Sequence, residues 1–450
     1  MPYLDPTSLR ANAQGIISDD DGTVRVQNET KLRGELIDRL VRTAVFGEGD
    51  VRDLARRWIR GAAVALGCPS ASIQGLYDAM GRGEASGFTV PAHNIRGLTY
   101  DTVRAALRAA KRLEVGALIF EIAKSEIGYT EQRPGEYAAV VLAAAIKEGW
   151  RGPVFVQGDH FQFNAKKYSA DPAKEADGIR AIIREAIGQG FGNIDIDSST
   201  LVDLSKPSVR EQQRTNFELC AEMTALIRSL EPAGTTISVG GEIGEVGGKN
   251  STVEEFTTYM DGFAETLRAR AKGARGISKI SVQTGTSHGG VPLPDGSVAA
   301  VQLDFDVLRD ISALARTKYG MAGAVQHGAS TLPDAAFDKF PGSGAAEIHL
   351  ATGFQNLVLD HAAFPRELRD EMYAWLRTNC ADEKKPGMTD EQFFYKTRKK
   401  AYGPFKRRMW DLPAGVRGAL ADALETKFAF LFEKLRVPGT AAAVTRHVPI

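Results

Sequence analysis

Cysteine is scarce in this sequence of 450 residues. Its three cysteines, Cys68, Cys220 and Cys380, lie far apart, and none belongs to a CxxC pair. A disulfide framework or a thiolate zinc site needs paired cysteines, so the sequence argues against both. Such sparse cysteines are typical of a reducing compartment, and we therefore expect a cytoplasmic protein.

An excess of one charge and long apolar runs are missing as well. Lys+Arg and Asp+Glu both number 56, which gives a net charge of zero. Because nucleic-acid and membrane-surface binding need a basic excess, we expect neither partner. No apolar run approaches the roughly 18 residues of a membrane-spanning helix. The first residues, MPYLDPTSLRANAQ, also lack the basic and apolar regions of a signal peptide.

The sequence does contain a regular alternation of strand-like and helix-like segments. Eight short apolar segments, each followed by a helix or loop, occupy about 270 residues that begin at Gly87. This count and spacing predict one (β/α)8 TIM barrel, since a doubly wound sheet rarely reaches eight regular repeats. We predict a helical N-terminal extension over 1–85, the barrel over 86–358 and a helical C-terminal extension over 359–450.

Polar side chains follow the predicted strands at the point where each strand ends. The apolar run Val154–Val156 leads directly into Gly158, Asp159 and His160. The C-terminal ends of barrel strands converge on one site, so residues at these positions should lie close together. Four of the seven histidines occupy such ends. Three imidazoles with one carboxylate form a donor set that suits zinc or another first-row divalent ion. The other strand-end residues are Asn94, Asp197, Ser198, Ser199, Glu242, His288, His327, His349 and Thr352.

Glycines flank two of these histidines, in the runs Gly285–Gly290 and His327–Ser330. Two interpretations stand side by side. The glycines form tight turns between strand and helix, or their backbone N–H groups and the Ser330 hydroxyl bind a phosphate.

Residues 86–356 resemble the class II, metal-dependent fructose-bisphosphate aldolases, a family that also includes tagatose-bisphosphate aldolases. Each motif is short, but seven of them follow one another at barrel spacing. They are VPAHNI (90–95), QGDH (157–160), IDIDSS (194–199), GGEIGEVGG (240–248), TGTSHG (284–289), QHGAS (326–330) and IHLAT (348–352).

The resemblance implies a role for each matching position. It gives Asp159 the part of a polar partner in proton transfer at the aldehyde-derived hydroxyl, and it gives Asn94 the orientation of the enediolate. A monovalent cation near Gly289, Gly328 and Ser330 would accompany the phosphate. The implied metal ligands are His160, His288 and His327, with Glu242 as an alternative or nearby ligand. The implied phosphate-binding residues are Gly289, Gly328, Ser330 and Thr352.

The sequence departs from the family pattern in the loop that usually carries a catalytic Glu. Here Gly248 is followed by Lys249, and the run 251–254 predicts a capping box for the next helix. The base that removes the proton of the ketone is therefore missing from its expected place, and Glu245 and Glu254 are the candidate substitutes.

Three further departures concern the late strands and the two ends of the chain. The Lys that usually follows the sixth-strand His-Gly is absent after Gly289, and His349 and Ala351 stand where the family has Asn and Asp. Both terminal helical regions are longer than usual. We expect the basic run at 396–408 to form a solvated or subunit-facing helix rather than a nucleic-acid site.

The resemblance implies a zinc-dependent aldolase, with another divalent metal as an alternative. Such an enzyme cleaves fructose 1,6-bisphosphate to dihydroxyacetone phosphate and glyceraldehyde 3-phosphate through a zinc-stabilised enediolate, and it needs no Schiff-base lysine. Two alternatives stay open: another ketose phosphate such as tagatose 1,6-bisphosphate, and a non-catalytic scaffold subunit. By analogy, and from the apolar segment Phe428–Phe432, we expect a homodimer or a larger homo-oligomer.

Overall fold

Eight parallel strands close into a barrel in the computed structural model, which describes residues 1–244, 249–285, 293 and 303–450. Each strand pairs with the next along the chain, and the eighth pairs with the first. The prediction of a (β/α)8 barrel is confirmed. The strands are β1 (Val90–Asn94), β2 (Ile119–Ala123), β3 (Val154–Gln162), β4 (Asn193–Asp197), β5 (Ser238–Glu242), β6 (Lys279–Val282), β7 (Ala324–Gln326) and β8 (Glu347–Leu350).

Helices surround the barrel; helices such as Val209–Leu230 bury one face, whereas Pro134–Glu148 is buried on nearly every side. Several begin at the residues that the sequence indicates. Pro134 occupies the first turn of its helix, and Asp171 caps the next long helix by accepting from the backbone N–H of Lys174. The helices between β1 and the end of the barrel are Thr99–Arg112, Lys124–Tyr129, Pro134–Glu148, Ala165–Ala170, Pro172–Gly188, Val209–Leu230, Val253–Arg270, Phe305–Tyr319, Lys339–Ser343 and Thr352–Asp360.

The segment before the barrel contains a hairpin as well as helices. Its antiparallel strands are Ile17–Asp20 and Thr23–Val26, and a two-residue strand, Ser70–Ala71, extends the barrel sheet beside the start of β3. The helices of this segment are Pro6–Ala13, Glu29–Lys31, Ile37–Phe46, Gly49–Ala65 and Gln74–Gly81, with a π-helical turn at Leu32–Leu36.

The segment after the barrel packs against it. Phe428 and Phe432 are fully buried within the chain, and the Phe428 ring stacks on Phe354 with centroids 4.6 Å apart. Their apolar surface is therefore used inside the chain and does not support the predicted oligomer. The helices here are Arg366–Asn379, Asp390–Thr397, Lys406–Trp410, Ala414–Lys434 and Ala441–His447. The predicted domain limits at 85 and 358 stay predictions.

A layer of charged side chains crosses the interior of the barrel. Its members come from alternate strands, as interior layers of such barrels do: Glu121 on β2, Asp195 on β4, Lys279 on β6 and Glu347 on β8. The Lys279 ammonium lies 2.5 Å from Glu347 Oε1 and 3.0 Å from Asp195 Oδ2, and the lysine is 1% exposed. Because a buried cation is stable only when it is paired, these contacts hold the layer together.

Glycine at position 240, on β5, makes room for this layer. A Cβ there would lie 2.3 Å from Asp195 Oδ1 and 2.9 Å from Lys279 Cε. The Tyr77 hydroxyl also contacts this layer. Tyr77 lies on the helix that precedes the barrel and donates a hydrogen bond to Glu347.

Among the described residues, no helix is both long enough and apolar enough to cross a membrane.

Candidate active site

A cavity of about 850 Å³ opens at the C-terminal ends of the strands. Eight of the ten predicted site residues lie in the described part of the chain, and all eight line this cavity. They are Asn94, Asp159, His160, Glu242, His327, Gly328, Ser330 and Thr352. The other two, His288 and Gly289, lie outside the described residues.

A bulge in β3 brings two consecutive side chains into the site. The register between β3 and β4 shifts between Gly158 and Phe161, and His160 has a φ of +39°. In a regular strand, neighbouring side chains point to opposite faces, and a bulge re-aims them. The left-handed backbone is unfavourable for His160 by about 1–3 kcal/mol. The bulge therefore places the Asp159 and His160 side chains in the site at a cost in local backbone energy.

Two imidazoles that line the cavity, those of His160 and His327, meet edge to face. His160 Nε2 is in contact with His327 Nδ1, and the outer nitrogens have partners of their own. His160 Nδ1 lies 2.9 Å from Asp197 Oδ2 and 3.2 Å from Glu242 Oε2, and His327 Nε2 lies 2.8 Å from Ser281 Oγ. A carboxylate only accepts hydrogen bonds, so His160 carries a proton on Nδ1. Its Nε2 is then directed inward, which is the usual arrangement of a histidine that binds a metal.

Glu242 completes a group of three potential metal ligands. One atom each from His160, Glu242 and His327 lies within 4.8 Å of the other two. Burial, and then the charge of Asp197, raises the pKa of Glu242 to about 8. Burial alone lowers the pKa of His160, but the charges of Asp159 and Glu242 outweigh it and raise that pKa well above its usual value. Because these negative surroundings also favour a bound cation, the donor set fits a divalent ion.

Asp159 lies beside this group without belonging to it. Its Oδ2 accepts from Asn94 Nδ2 at 2.8 Å, and its Oδ1 lies 3.1 Å from His349 Nδ1 and 3.8 Å from His160 Nε2. Although burial raises the pKa of Asp159, the charges of His160 and His349 lower it well below its usual value. Asp159 is therefore ionised, and an ionised carboxylate can accept a proton from a bound hydroxyl.

A glutamate that sequence analysis missed holds Asn94 in place. Glu126 Oε2 accepts from Asn94 Nδ2 and from the backbone N–H of Ala123, both at 2.9 Å. Its other oxygen accepts from Arg96 Nε at 2.6 Å. Asn94 and Ala123 are the last residues of β1 and β2, and Arg96 follows β1, so Glu126 links the ends of these two strands.

His349 connects the cavity to the charged layer below it. His349 Nε2 lies 2.5 Å from Glu347 Oε1, and its Nδ1 lies 3.0 Å from Glu121 Oε1. Burial raises the pKa of Glu121 to about 8 and that of Asp195 to about 6. These three carboxylates with His349 are close enough to hold an ion, but the Lys279 ammonium already supplies the positive charge among them.

One of the predicted phosphate-binding residues, Thr352, contacts an arginine that was not predicted. Arg96, just after β1, donates from one terminal nitrogen to Thr352 Oγ1 at 3.2 Å and to Gln355 Oε1 at 2.9 Å. Ser330 Oγ accepts from the backbone N–H of Ala351, and Gly328 has a φ of +68°. Gly328 thus serves a tight turn that lines the cavity, and phosphate binding by this loop stays a prediction.

The basic run at 396–408 also contributes to the cavity. Lys396, Lys399 and Lys400 line it, together with Tyr395. Lys396 is exposed, whereas Lys399 and Lys400 are partly buried, so the predicted solvation applies to only some of these lysines. Burial, and then the charge of Arg96, lowers the pKa of Lys399 to about 8.

Part of the loop after β5 lies outside the described residues. This part includes the candidate base Glu245 and the two glycines Gly247 and Gly248. The capping box is present one residue later than predicted. Thr252 and Glu255 form it, while Ser251 Oγ accepts from the backbone N–H of Gln283 at 3.0 Å. Glu254 is exposed, and no described contact joins it to the cavity.

A signal for the missed residues is present in the sequence. Charged residues interrupt the apolar strands in IFEIA, NIDID, SKIS and EIHL, where a strand buried on both faces should be apolar throughout. Charges at the same depth on alternate strands indicate an interior layer. Arg96, Glu126 and Lys399 carry no comparable signal, because each lies in a loop or a short helix.

Comparisons with known proteins bear on the family and on the fold. The family model described as fructose-bisphosphate aldolase class-II matches residues 76–410, about three quarters of the chain. A search of the curated proteins finds no match.

Several solved structures share the fold. The YdjI aldolase from Escherichia coli K12 is 15% identical, with a TM-score of 0.50 over 82% of this chain and 99% of that chain. A probable tagatose 6 phosphate kinase from Sinorhizobium meliloti 1021 is 18% identical, with a TM-score of 0.53 over 80% and 93%. The fructuronate-tagaturonate epimerase UxaE from Cohnella laeviribosi is 12% identical, with a TM-score of 0.51 over 95% and 93%. This last likeness of fold therefore extends beyond the barrel into the terminal helices.

Proposed function

This chain belongs to the class II fructose-bisphosphate aldolase family, and from that premise we propose that it is a metal-dependent aldolase that cleaves a ketose 1-phosphate. One observation carries the proposal: the ligand atoms of His160, His327 and Glu242 converge beside the Asp159–Asn94 pair. A donor set next to an ionised carboxylate combines a cation site with a proton acceptor, which are the two elements that aldol cleavage needs.

The proposed metal ligands are His160, His327 and Glu242, with His288 as a further predicted ligand. Two imidazoles and a carboxylate suit zinc best. The proposal also includes a monovalent cation near Gly289, Gly328 and Ser330. A divalent ion held there would polarise the ketone carbonyl of the substrate and stabilise the enediolate.

The chain's own residues bind the substrate and move the proton. Asp159 takes the proton of the C4 hydroxyl while the C3–C4 bond breaks, so that C4 leaves as an aldehyde and the bonding electrons stay on the ketone half. Asn94, fixed by Glu126, donates to Asp159 and orients the reacting oxygens. Ser330 and Thr352, with Arg96 beside them, bind the phosphate of the ketone half.

Fructose 1,6-bisphosphate is the proposed substrate, because it is the one for which the family is named. Tagatose 1,6-bisphosphate is the alternative, since strand eight carries His349 where the family has Asn. The products from fructose 1,6-bisphosphate are dihydroxyacetone phosphate and glyceraldehyde 3-phosphate. The proposal places the enzyme in the cytoplasm as a homo-oligomer.

The test combines metal analysis with an aldol-cleavage assay on the purified protein. We expect about one divalent ion per chain and a release of dihydroxyacetone phosphate that stops with a chelator and returns with zinc. The His447→Ala variant, which changes a histidine in the last helix, serves as the control and should retain both.

Two results would overturn the proposal. Stoichiometric metal without cleavage of either bisphosphate would favour the scaffold alternative. The Cohnella laeviribosi protein is named for acting on fructuronate and tagaturonate, so D-fructuronate belongs in the assay. Its epimerisation, without cleavage of any ketose phosphate, would replace the aldolase by an epimerase.

A further inference from the structure

His349, on β8, has a carboxylate at each of its ring nitrogens. Its Nε2 lies 2.5 Å from Glu347 Oε1, and its Nδ1 lies 3.1 Å from Asp159 Oδ1. Each carboxylate also accepts from a second donor, Asn94 for Asp159 and Gln157 for Glu347. Because an ionised carboxylate only accepts hydrogen bonds, both nitrogens of His349 carry a proton and the ring is an imidazolium. It has no lone pair left with which to bind a metal ion.

The charged layer below the cavity fixes this imidazolium. Glu347 Oε1, which accepts from His349, also lies 2.5 Å from Lys279 Nζ, and Glu121 Oε1 lies 3.0 Å from His349 Nδ1. The ring is 4% exposed, and it stacks on the His327 ring with centroids 4.1 Å apart. A buried cation is stable only when it is paired, and the surrounding carboxylates supply that pairing. His349 is therefore held with its Nδ1–H directed at Asp159.

Two sets of potential metal ligands share His327. The first set adds His160 and Glu242, and the second adds Asp159 and His349. In each set the ligand atoms lie within 4.8 Å of one another. Since an imidazolium cannot bind a metal ion, the second set is incomplete. Asp159 is the member of that set that could still reach an ion held by the first.

The Oδ1 atom of Asp159 lies close to both sets. It is 3.1 Å from His349 Nδ1 and 3.8 Å from His160 Nε2. An ion bound to His160 Nε2 would attract this oxygen, because opposite charges interact strongly in a buried site. The charge-assisted hydrogen bond from His349 opposes that movement, while Asn94 holds the other oxygen at 2.8 Å. The position of Asp159 therefore depends on His349.

We propose that His349 is a positioning residue that keeps Asp159 out of the ligand set of the metal. This inference rests on the proposed function for the metal ligands and for the role of Asp159. A carboxylate that binds a divalent ion directly has its charge offset by the ion, and it is then a weaker proton acceptor. By holding Asp159 beside the metal ligands, His349 leaves this carboxylate available for the proton of the substrate.

Replacement of the metal by Co²⁺ tests the inference without requiring turnover, because the visible bands of Co²⁺ depend on the number and type of its ligands. The metal-free full-length chain is loaded with one equivalent of Co²⁺. His349→Asn introduces the residue that the family has at this position. We expect it to shift and weaken the Co²⁺ bands, because Asp159 joins the ligands. In the Asp159→Ala background the same substitution should leave the bands unchanged, since the oxygen that would bind is absent.

Cleavage kinetics give a second readout. The kcat of His349→Asn should fall about 10- to 100-fold, a part of the 10²- to 10⁴-fold contribution of a positioned general base. The KM should change little, because an interaction that acts only in the transition state affects kcat. In the Asp159→Ala background, His349→Asn should lower kcat no further.

The control is His93→Asn, which removes a fully buried imidazole from the neighbouring strand β1. It should lower the melting temperature and leave the Co²⁺ bands unchanged. We expect His349→Asn to fold, because Glu347 keeps Lys279 as its partner, and the melting temperature checks this. His349→Gln replaces it if it does not fold.

Two results would overturn the inference: unchanged Co²⁺ bands in the folded His349 variant, or an equal shift of the bands in the Asp159→Ala background. Failure of the proposed function is a separate result. It would appear as absent cleavage by the unmodified chain, whereas the pattern of Co²⁺ spectra would still support the role of His349. An unmodified chain that binds no Co²⁺ would overturn both.

Discussion

The Nδ1 atom of His160 lies 2.9 Å from the Oδ2 atom of Asp197, across the gap between β3 and β4. Asp197 is 1% exposed, and its other oxygen accepts from the Ser199 hydroxyl at 2.7 Å. Although burial raises the pKa of Asp197, the hydrogen bonds from His160 and Ser199 lower it below its usual value. The carboxylate therefore stays ionised and sets the orientation of the imidazole.

Replacing Asp197 by Ala should weaken metal binding about 10- to 100-fold, because the imidazole loses the partner that fixes its tautomer. Competition with a zinc-sensitive dye measures this affinity. Asp203→Ala, which removes an exposed carboxylate from the next loop, should change nothing. An Asp197→Ala variant with unaltered zinc affinity would contradict the role of Asp197.

We expect substitutions of Asp159 and His160, the two adjacent residues of the bulge, to have different effects. His160→Ala is expected to lose both metal and activity, because it removes a proposed ligand. Asp159→Ala should keep its metal and lose about 10²- to 10⁴-fold in kcat, the usual contribution of a positioned general base. Metal analysis and cleavage kinetics on the same preparations give both numbers. Full activity in Asp159→Ala would refute the proton-transfer assignment.

Lys279 should contribute strongly to stability although it lies below the site. Lys279→Met leaves Glu347 and Asp195 buried without their cation, which typically destabilises a protein by about 3–5 kcal/mol. Urea unfolding measures the change in free energy. Lys272→Met, at an exposed position, should stay within about 0.5 kcal/mol of the unmodified chain. A similarly small effect at Lys279 would show that the layer does not depend on it.

The thiols should be unreactive in the folded protein. Burial raises the pKa of Cys68 and of Cys220 to about 12, and it raises that of Cys380 as well. The thiolate is the reactive form, and a raised pKa lowers its share at pH 8. We expect no labelling by iodoacetamide at that pH until denaturant is added, and then labelling of all three. Rapid modification of native Cys68 or Cys220, seen by mass spectrometry, would be inconsistent with the buried positions.

Much of the fold was predictable because the signals are local. The period of apolar residues distinguishes strands from helices, and eight strands alternating with helices have one common solution. The meeting of His160, Glu242 and His327 follows from that topology, since strand ends converge in any such barrel. The matching motifs then indicate the family without a structure.

Other features depend on contacts between residues that are distant in sequence. The apolar segment Phe428–Phe432 looks free for a partner subunit until its burial against the barrel is known. Lys399 belongs to a run that reads as solvated, yet Arg398 anchors that run to Asp360 and brings it over the cavity. No local pattern encodes such a placement.

The sequence by itself determined the barrel, the family and most of the proposed ligands, because these depend on periodicity and on residue types at strand ends. Only the tertiary structure decided which partner orients each ligand, how the charges of Glu121, Asp195, Lys279 and Glu347 offset one another, and which part of the C-terminal region lines the cavity. The physical reason is that the energy of a charged side chain depends on its burial and on its ion-pair partners. Both are set by residues that folding brings together, and these residues are distant in sequence.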